Sequence, residues 1–138
     1  MNGGVLIAFG FGWMVVAALI GLYLGARHEH HLEQLRSAAE IGNLSEYYRI
    51  FEAYKWRSSV HAHGMLFSLS SVGVGLVLSL QGVGSAIPFA EVLGGTLMFA
   101  TVVWTLAAAW RVRPLMGLAD LLFIGVMAFV AVSVVGTL

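Results

Sequence analysis

Residues 27–63 read RHEHHLEQLRSAAEIGNLSEYYRIFEAYKWRSSVHAH and form the only long polar segment of an otherwise apolar sequence. All five histidines lie in this segment, together with five of the seven basic and five of the seven acidic residues. The segment therefore separates the first apolar stretch from the rest of the chain. Any chemistry of the protein is expected at this segment.

The composition indicates an integral membrane protein. Of 138 residues, 59% are hydrophobic and only 10% are charged, and the mean hydropathy is +0.90, which is too apolar for a small soluble domain. The chain has no cysteine, so disulfides, iron–sulfur clusters and thiolate zinc sites are excluded. The formal charge is zero, and no nucleic-acid partner is predicted.

Four apolar stretches are long enough to cross a bilayer, which needs roughly 20 residues. They cover residues of about 5–26, 59–80, 88–110 and 115–137. Short connections at 81–85 and 111–114 contain glycine, serine or proline, which favour turns, and Pro88 suits the first turn of a helix. These features predict a single all-α domain over 1–138, an antiparallel four-helix bundle in the lipid bilayer.

The basic residues predict the orientation of the bundle. All seven lie in the first and third connections, which are on one side of the membrane. By the positive-inside rule this side is cytoplasmic, and both termini lie on the other side. The expected location is a bacterial or archaeal inner membrane. A cleaved signal peptide is the alternative interpretation of the first span, but a basic amino-terminal region and a small-residue cleavage site are absent.

Residues 27–58 are predicted to form a cytoplasmic helical hairpin. Gly42 and Asn43 interrupt two helical patterns, and Asn43 followed three residues later by Glu46 resembles a capping box. The first span is then expected to continue to about Ile41, and the second helix to run from Leu44 into the membrane at Ser59. The apolar seam of the hairpin is predicted to contain Leu32, Leu35, Ala39, Ile50, Phe51 and Tyr54.

The hairpin suggests which histidines share a site. His28 and His31 are neighbours on one helical face, whereas His61 and His63 are about 200° apart around their helix and face different elements. His61 shares a face with Gly64, Ser68 and Gly75, small residues that let membrane helices approach closely.

A second small-residue pattern, Gly21-x-x-x-Gly25, lies on the first helix. We therefore expect His61 to face the first helix near His28. His63 is expected to face the fourth span instead.

Asp120 is the one carboxylate placed well inside a predicted span. A carboxylate in hydrocarbon is costly, so such residues usually face the bundle interior and have a partner. His63 lies at a similar predicted depth and is the expected partner. A hydrogen bond from a serine, threonine or another histidine is the purely structural alternative.

The clustering of histidines predicts a metal or haem site at the cytoplasmic end of the bundle. The candidate ligands are His61, His63, His28, His31 and Asp120, and the candidate cofactors are haem b or a transition metal, namely iron, copper or zinc. Such a centre suits electron transfer to or from a quinone.

Three other interpretations of these residues remain open. The chain is an assembly subunit of a larger membrane complex or a homo-oligomer, or it is a transport or proton-relay element. The histidines are alternatively ordinary polar residues at a membrane boundary.

The run His61-Ala62-His63-Gly64-Met65-Leu66-Phe67 resembles the H-A-H-x-x-x-F run in a helix of nitric oxide reductases and related haem–copper enzymes. This resemblance covers seven residues of the 138. The chain is too short to hold the other metal-binding helices of those enzymes, so their catalytic centre is not carried over to it.

Overall fold

The computed structural model describes residues 3–80, 87 and 89–136. All regular secondary structure in these residues is helical, in five helices: α1 Gly3–Ala26, α2 His28–Glu40, α3 Leu44–Ser79, α4 Ala90–Ala109 and α5 Arg113–Val135. The helices α1, α3, α4 and α5 are long and apolar enough to cross a membrane. The prediction of four helices long and apolar enough to cross a membrane is confirmed, and the chain has the character of a multi-pass membrane protein.

The helix bounds differ slightly from those expected from sequence. The third span begins at Ala90 rather than at Pro88, and Pro88 and the predicted loop at 81–85 lie outside the described residues. The fourth span begins two residues early, at Arg113, because Pro114 occupies the first turn of α5, where a missing N–H is harmless.

The first span does not continue unbroken to Ile41 as expected. Arg27 leaves the helical region, with φ −103° and ψ 2°, and separates α1 from α2. At the other end of α2, Gly42 takes φ 70° and the Asn43 N–H donates to the Ala38 carbonyl at 2.9 Å, which is the Schellman pattern. Asn43 then caps α3, because its Oδ1 accepts from the Glu46 N–H at 3.1 Å.

The seam between α2 and α3 is rotated relative to the prediction. His31 and Ala38 are the buried residues of α2, and they face Ile50 and Tyr54 of α3, whereas the predicted Leu32, Ala39 and Phe51 are exposed. The buried residues of α2 precede the predicted ones by a single position, which is a rotation of about 100°. A polar histidine takes the place predicted for Leu32, while the predicted Leu35 is half-buried.

Helix α1 packs closely along α3 through small residues. A side chain at Gly10 would place its Cβ 2.8 Å from the Ser68 carbonyl oxygen, and one at Gly75 would lie 2.8 Å from the Gly3 carbonyl oxygen. Gly64 and Ser68 are buried in the same contact. The two backbones therefore touch, in the way small residues allow in membranes.

Helix α5 packs mainly on α4, and α4 contacts α3. An aromatic cluster joins these three helices: the rings of Phe67 and Phe123 stack at 4.4 Å, and the ring of Trp104 meets Phe67 edge-on at 6.0 Å. Trp104 and Phe67 are almost completely buried. This cluster fixes the rotation of α3 about its own axis. That rotation determines the directions in which His61 and His63 point.

Candidate functional site

His61 projects from α3 onto α1, as predicted. Its Nδ1 lies 2.8 Å from the Ala17 carbonyl oxygen, and a Cβ at Gly21 would meet the ring at 2.5 Å from its Cε1 atom. A carbonyl can only accept a hydrogen bond, so Nδ1 of the neutral ring carries the proton and Nε2 holds the lone pair. Gly21 thus makes room for an imidazole whose orientation the neighbouring helix defines.

His63 faces α4 and not the fourth span, so the expected direction is wrong. Its ring stacks on Trp104 with centroids 4.4 Å apart and planes 10° apart. Its Nδ1 lies 2.9 Å from the Ser59 carbonyl oxygen one turn earlier, and 3.3 Å from the Ser59 hydroxyl. The proton of the neutral ring is again on Nδ1, and Nε2 is the basic nitrogen.

The two histidines share an arrangement that is typical of metal ligands. A ligating imidazole generally donates its second N–H to a carbonyl or carboxylate, which sets the ring orientation and leaves the other nitrogen for the metal. Both His61 and His63 do this through Nδ1. Since they project from opposite faces of α3, they present two separate single ligands and not a pair.

His28 and His31 lie apart from His61, around Tyr54 of α3. The His28 Nδ1 is 3.1 Å from the Tyr54 hydroxyl, and the His31 ring meets the Tyr54 ring edge-on at 5.5 Å. The expectation that His28 lies near His61 is wrong, because His61 packs at Gly21, seven residues or about 10 Å earlier along the chain. Sequence reasoning placed Tyr54 in the seam and missed its contact with both histidines.

His31 is the most deeply buried histidine, with 9% of its surface exposed. Neither of its ring nitrogens has a hydrogen-bond partner within the described residues, and the same holds for the buried Trp104 Nε1.

Asp120 does not meet His63, and the predicted pairing is wrong. It lines a cleft of about 370 Å³ at the junction of α3 and α5, together with Glu52, Lys55, Trp56, Ser59, Arg113, Met116 and Gly117. Ser59 also lines this cleft, and its carbonyl accepts the His63 hydrogen bond. The rotation that stacks His63 on Trp104 carries its ring away from α5.

The five candidate ligands therefore do not meet in one site: His28 and His31 lie around Tyr54, and His61, His63 and Asp120 each lie elsewhere. In residues 3–80, 87 and 89–136, the structure forms no group of three or more histidine and carboxylate side chains suited to hold one metal ion. The best-oriented single ligands are His61 at the α1–α3 contact and His63 at the α3–α4 contact.

Comparisons of the chain with protein-family models, with curated proteins and with solved structures find no match in any of the three.

Proposed function

We propose that the protein is a multi-pass membrane protein that binds haem b, or one iron, copper or zinc ion, through the Nε2 atom of His61. The observation that carries this proposal is the hydrogen bond from His61 Nδ1 to the Ala17 carbonyl oxygen, at 2.8 Å. It links the ligand on α3 to the backbone of α1 and leaves Nε2 free to bind, as a metal-ligating histidine requires.

A single imidazole is sufficient for this chemistry. Haem iron is held by one proximal histidine in several protein classes, and the opposite face of the porphyrin is then free for a small molecule. A second ligand would have to come from outside the α1–α3 contact, and a second copy of the chain in a homo-oligomer is one source. His63 is the alternative ligand, with the same Nδ1 anchoring.

The proposed role is redox or electron transfer. A haem or copper centre near a membrane boundary is placed to exchange electrons with a quinone dissolved in the bilayer, while the protein sets its potential through the axial ligand and burial. His28, His31 and Asp120 lie apart from His61, so we do not propose them as ligands of the same group.

The proposed arrangement is an antiparallel bundle of α1, α3, α4 and α5. Helix α2 and the first turns of α3 form a hairpin on the cytoplasmic side, and both termini lie opposite. The support is the location of all seven basic residues in two connections on one side. Because the chain has no cysteine, single cysteines can test this directly: S45C should react with a membrane-impermeant maleimide only when the cytoplasmic face is accessible.

The binding proposal is tested by absorption spectroscopy and elemental analysis of protein purified in detergent. We expect a Soret band, or about one equivalent of iron, copper or zinc, which is lost in His61→Ala. His30→Ala is the matched control, because His30 is an exposed histidine on α2 and should retain full occupancy. Adding imidazole to His61→Gly should restore part of the signal.

A second variant separates ligand loss from general damage. Gly21→Ala keeps His61 but places a methyl group within 2.5 Å of its ring, so the imidazole must swing away and lose its bond to Ala17. We expect occupancy to fall in Gly21→Ala and to be unchanged in Gly25→Ala, since a Cβ at Gly25 meets no atom within 4 Å.

A colourless, metal-free and fully helical preparation would refute the proposal and favour the assembly interpretation. Occupancy that survives in both His61→Ala and His63→Ala would also refute it. If occupancy is lost in His63→Ala but not in His61→Ala, the binding site lies at the α3–α4 contact instead.

A further inference from the structure

A concave basic surface, here called the arginine groove, lies between the amino-terminal half of α3 and the turn that joins α4 to α5. It has a volume of about 570 Å³ and is lined by Arg49, Glu52, Ala53, Trp56, Arg111 and Arg113. The α3 residues recur at three- and four-residue intervals and form one helical face. The groove lies at the end of two apolar helices, where a lipid headgroup layer is expected.

Two of the cations in the arginine groove have no ion-pair partner within the described residues. Arg49 is paired with Glu46 at 2.5 Å, and Glu52 lies 4.0 Å from Lys55. Arg111 and Arg113 make no such pair. Guanidinium groups bind phosphate through two parallel hydrogen bonds, so these two arginines suit a phosphate group.

The backbone at Arg111 is strained in a way that positions its side chain. Arg111 takes φ 57° after the last turn of α4, and the Val112 N–H donates to the Ala107 carbonyl at 2.8 Å. This position of a Schellman motif usually holds glycine, and a non-glycine residue there costs energy. Its guanidinium carbon lies 5.7 Å from the centre of the Trp56 ring, which is a cation–π contact.

An apolar cleft of about 440 Å³ shares Trp56 and Arg111 with the arginine groove. It lies between α1, α3 and α4 and is lined by Ile20, Tyr23, Leu24, Trp56, Arg57, Val60, Thr105, Ala108, Ala109 and Arg111. Cations lie only at its outer end, and its inner wall is almost entirely hydrocarbon. A ligand that fits both spaces has an anionic head and an apolar chain.

We propose that the arginine groove and this cleft bind one anionic phospholipid. Its phosphate is held by Arg111 and Arg113, and one acyl chain lies against Val60 and the exposed Ala109. The charge of the groove selects an anionic headgroup, and the apolar cleft selects a lipid over a soluble phosphate. Basic pockets between membrane helices are known to bind anionic lipid headgroups in this way.

The test measures lipid binding to the full chain in detergent micelles by native mass spectrometry. Phosphatidylglycerol is compared with phosphatidylcholine of identical acyl chains. We expect one tightly bound phosphatidylglycerol and weaker phosphatidylcholine binding. Each arginine near a membrane surface contributes about five-fold to anionic lipid affinity, so the double variant Arg111→Gly with Arg113→Gln should lose on the order of 25-fold.

The double variant is expected to fold, because glycine is the usual residue at the φ of Arg111; circular dichroism verifies the helix content. The matched control compares two single variants: Arg36→Gln, outside both the groove and the cleft, should retain the affinity, whereas Arg113→Gln should lose about five-fold. Equal losses in these two variants would overturn the proposal, because the attraction would then be one of general charge. Equal binding of the two lipids would overturn it too.

Two further measurements test the acyl-chain position. Ala109→Phe fills the cleft from an exposed position and should weaken binding of the long-chain lipid while leaving dihexanoyl phosphatidylglycerol unaffected. No change for either lipid would overturn the placement of the chain. Displacement of the long-chain lipid by an equal concentration of glycerol phosphate would overturn the assignment of a lipid ligand.

Discussion

The close contact of α1 with α3 predicts that Gly10→Ala destabilises the protein. The added methyl carbon would lie 2.8 Å from the Ser68 carbonyl oxygen, 2.8 Å from a Val72 methyl group and 3.0 Å from the Val72 backbone nitrogen. Ordinary contact begins at 3.4 Å. Two of the three obstructing atoms belong to the backbone of α3, so a rotamer change cannot relieve the overlap and the helices must separate.

The expected cost of Gly10→Ala follows from two opposing effects. Overpacking a closely packed contact costs about 1–3 kcal/mol, whereas replacing glycine by alanine in a helix gains up to about 1 kcal/mol. The net effect on the free energy of unfolding should be a loss of about 1–2 kcal/mol. Separation of α1 from α3 should also lengthen the hydrogen bond between His61 and Ala17, which lies about two helical turns from Gly10.

The measurement is unfolding in mixed micelles by increasing dodecyl sulfate, followed by circular dichroism. Gly12→Ala is the control on the same helix, because a Cβ there meets no atom within 4 Å; it should be neutral or slightly stabilising. Gly75→Ala and Gly73→Ala form the equivalent pair on α3, one obstructed and one open. A Gly10→Ala protein as stable as the parent, or equal losses for Gly10→Ala and Gly12→Ala, would refute the close-contact argument.

Two further predictions concern the α2–α3 region. Asn43→Ala removes the cap on the Glu46 N–H and should lower the free energy of unfolding by about 1 kcal/mol, measured in the same titration; Ser45→Ala, in the first turn of the same helix, should change it little. Tyr54→Phe removes the hydroxyl that contacts His28 and should cost about 0.5–1.5 kcal/mol, with faster amide exchange in α2. If Tyr48→Phe, at an exposed tyrosine on the same helix, accelerates exchange equally, the His28 contact has no such role.

The four spans were predictable because their signal is local. A helix that crosses a bilayer must be apolar over its whole length, and that requirement can be recognised without knowing any neighbour. The cap at Asn43 was predictable for the same reason, since its partner Glu46 is three residues away. The face of His61 was also foreseen, because the row Gly64, Ser68 and Gly75 identifies the side of α3 that another helix can approach.

The directions of the other candidate side chains were not predictable in the same way. His63 was expected to meet Asp120 at similar depth, yet its ring stacks on Trp104. Depth along a helix follows from counting residues, but direction depends on how far each helix is rotated. Along an apolar helix nearly every face can be buried, so the pattern of hydrophobic residues does not indicate that rotation.

The α2–α3 seam shows the same limit in a polar segment. A rotation of about 100° exchanges the predicted Leu32 for His31. Helix α2 begins after the break at Arg27 and ends at the left-handed Gly42. The hydrophobic pattern of α2 does not specify the dihedral angles at these two residues, so it does not predict the rotation.

By itself, the sequence determined that the chain forms four helices long and apolar enough to cross a membrane, and which face of α3 meets α1. These properties depend on local hydrophobicity and residue size. Only the tertiary structure decided which side chains of different helices meet. The hydrogen bond from His61 to Ala17, the stacking of His63 on Trp104 and the convergence of Arg111 and Arg113 on one groove depend on helix rotation and turn geometry. Helix rotation depends on packing among residues far apart in the chain. Residues 27–63 therefore contain the histidines, but residues of other helices determine what each histidine contacts.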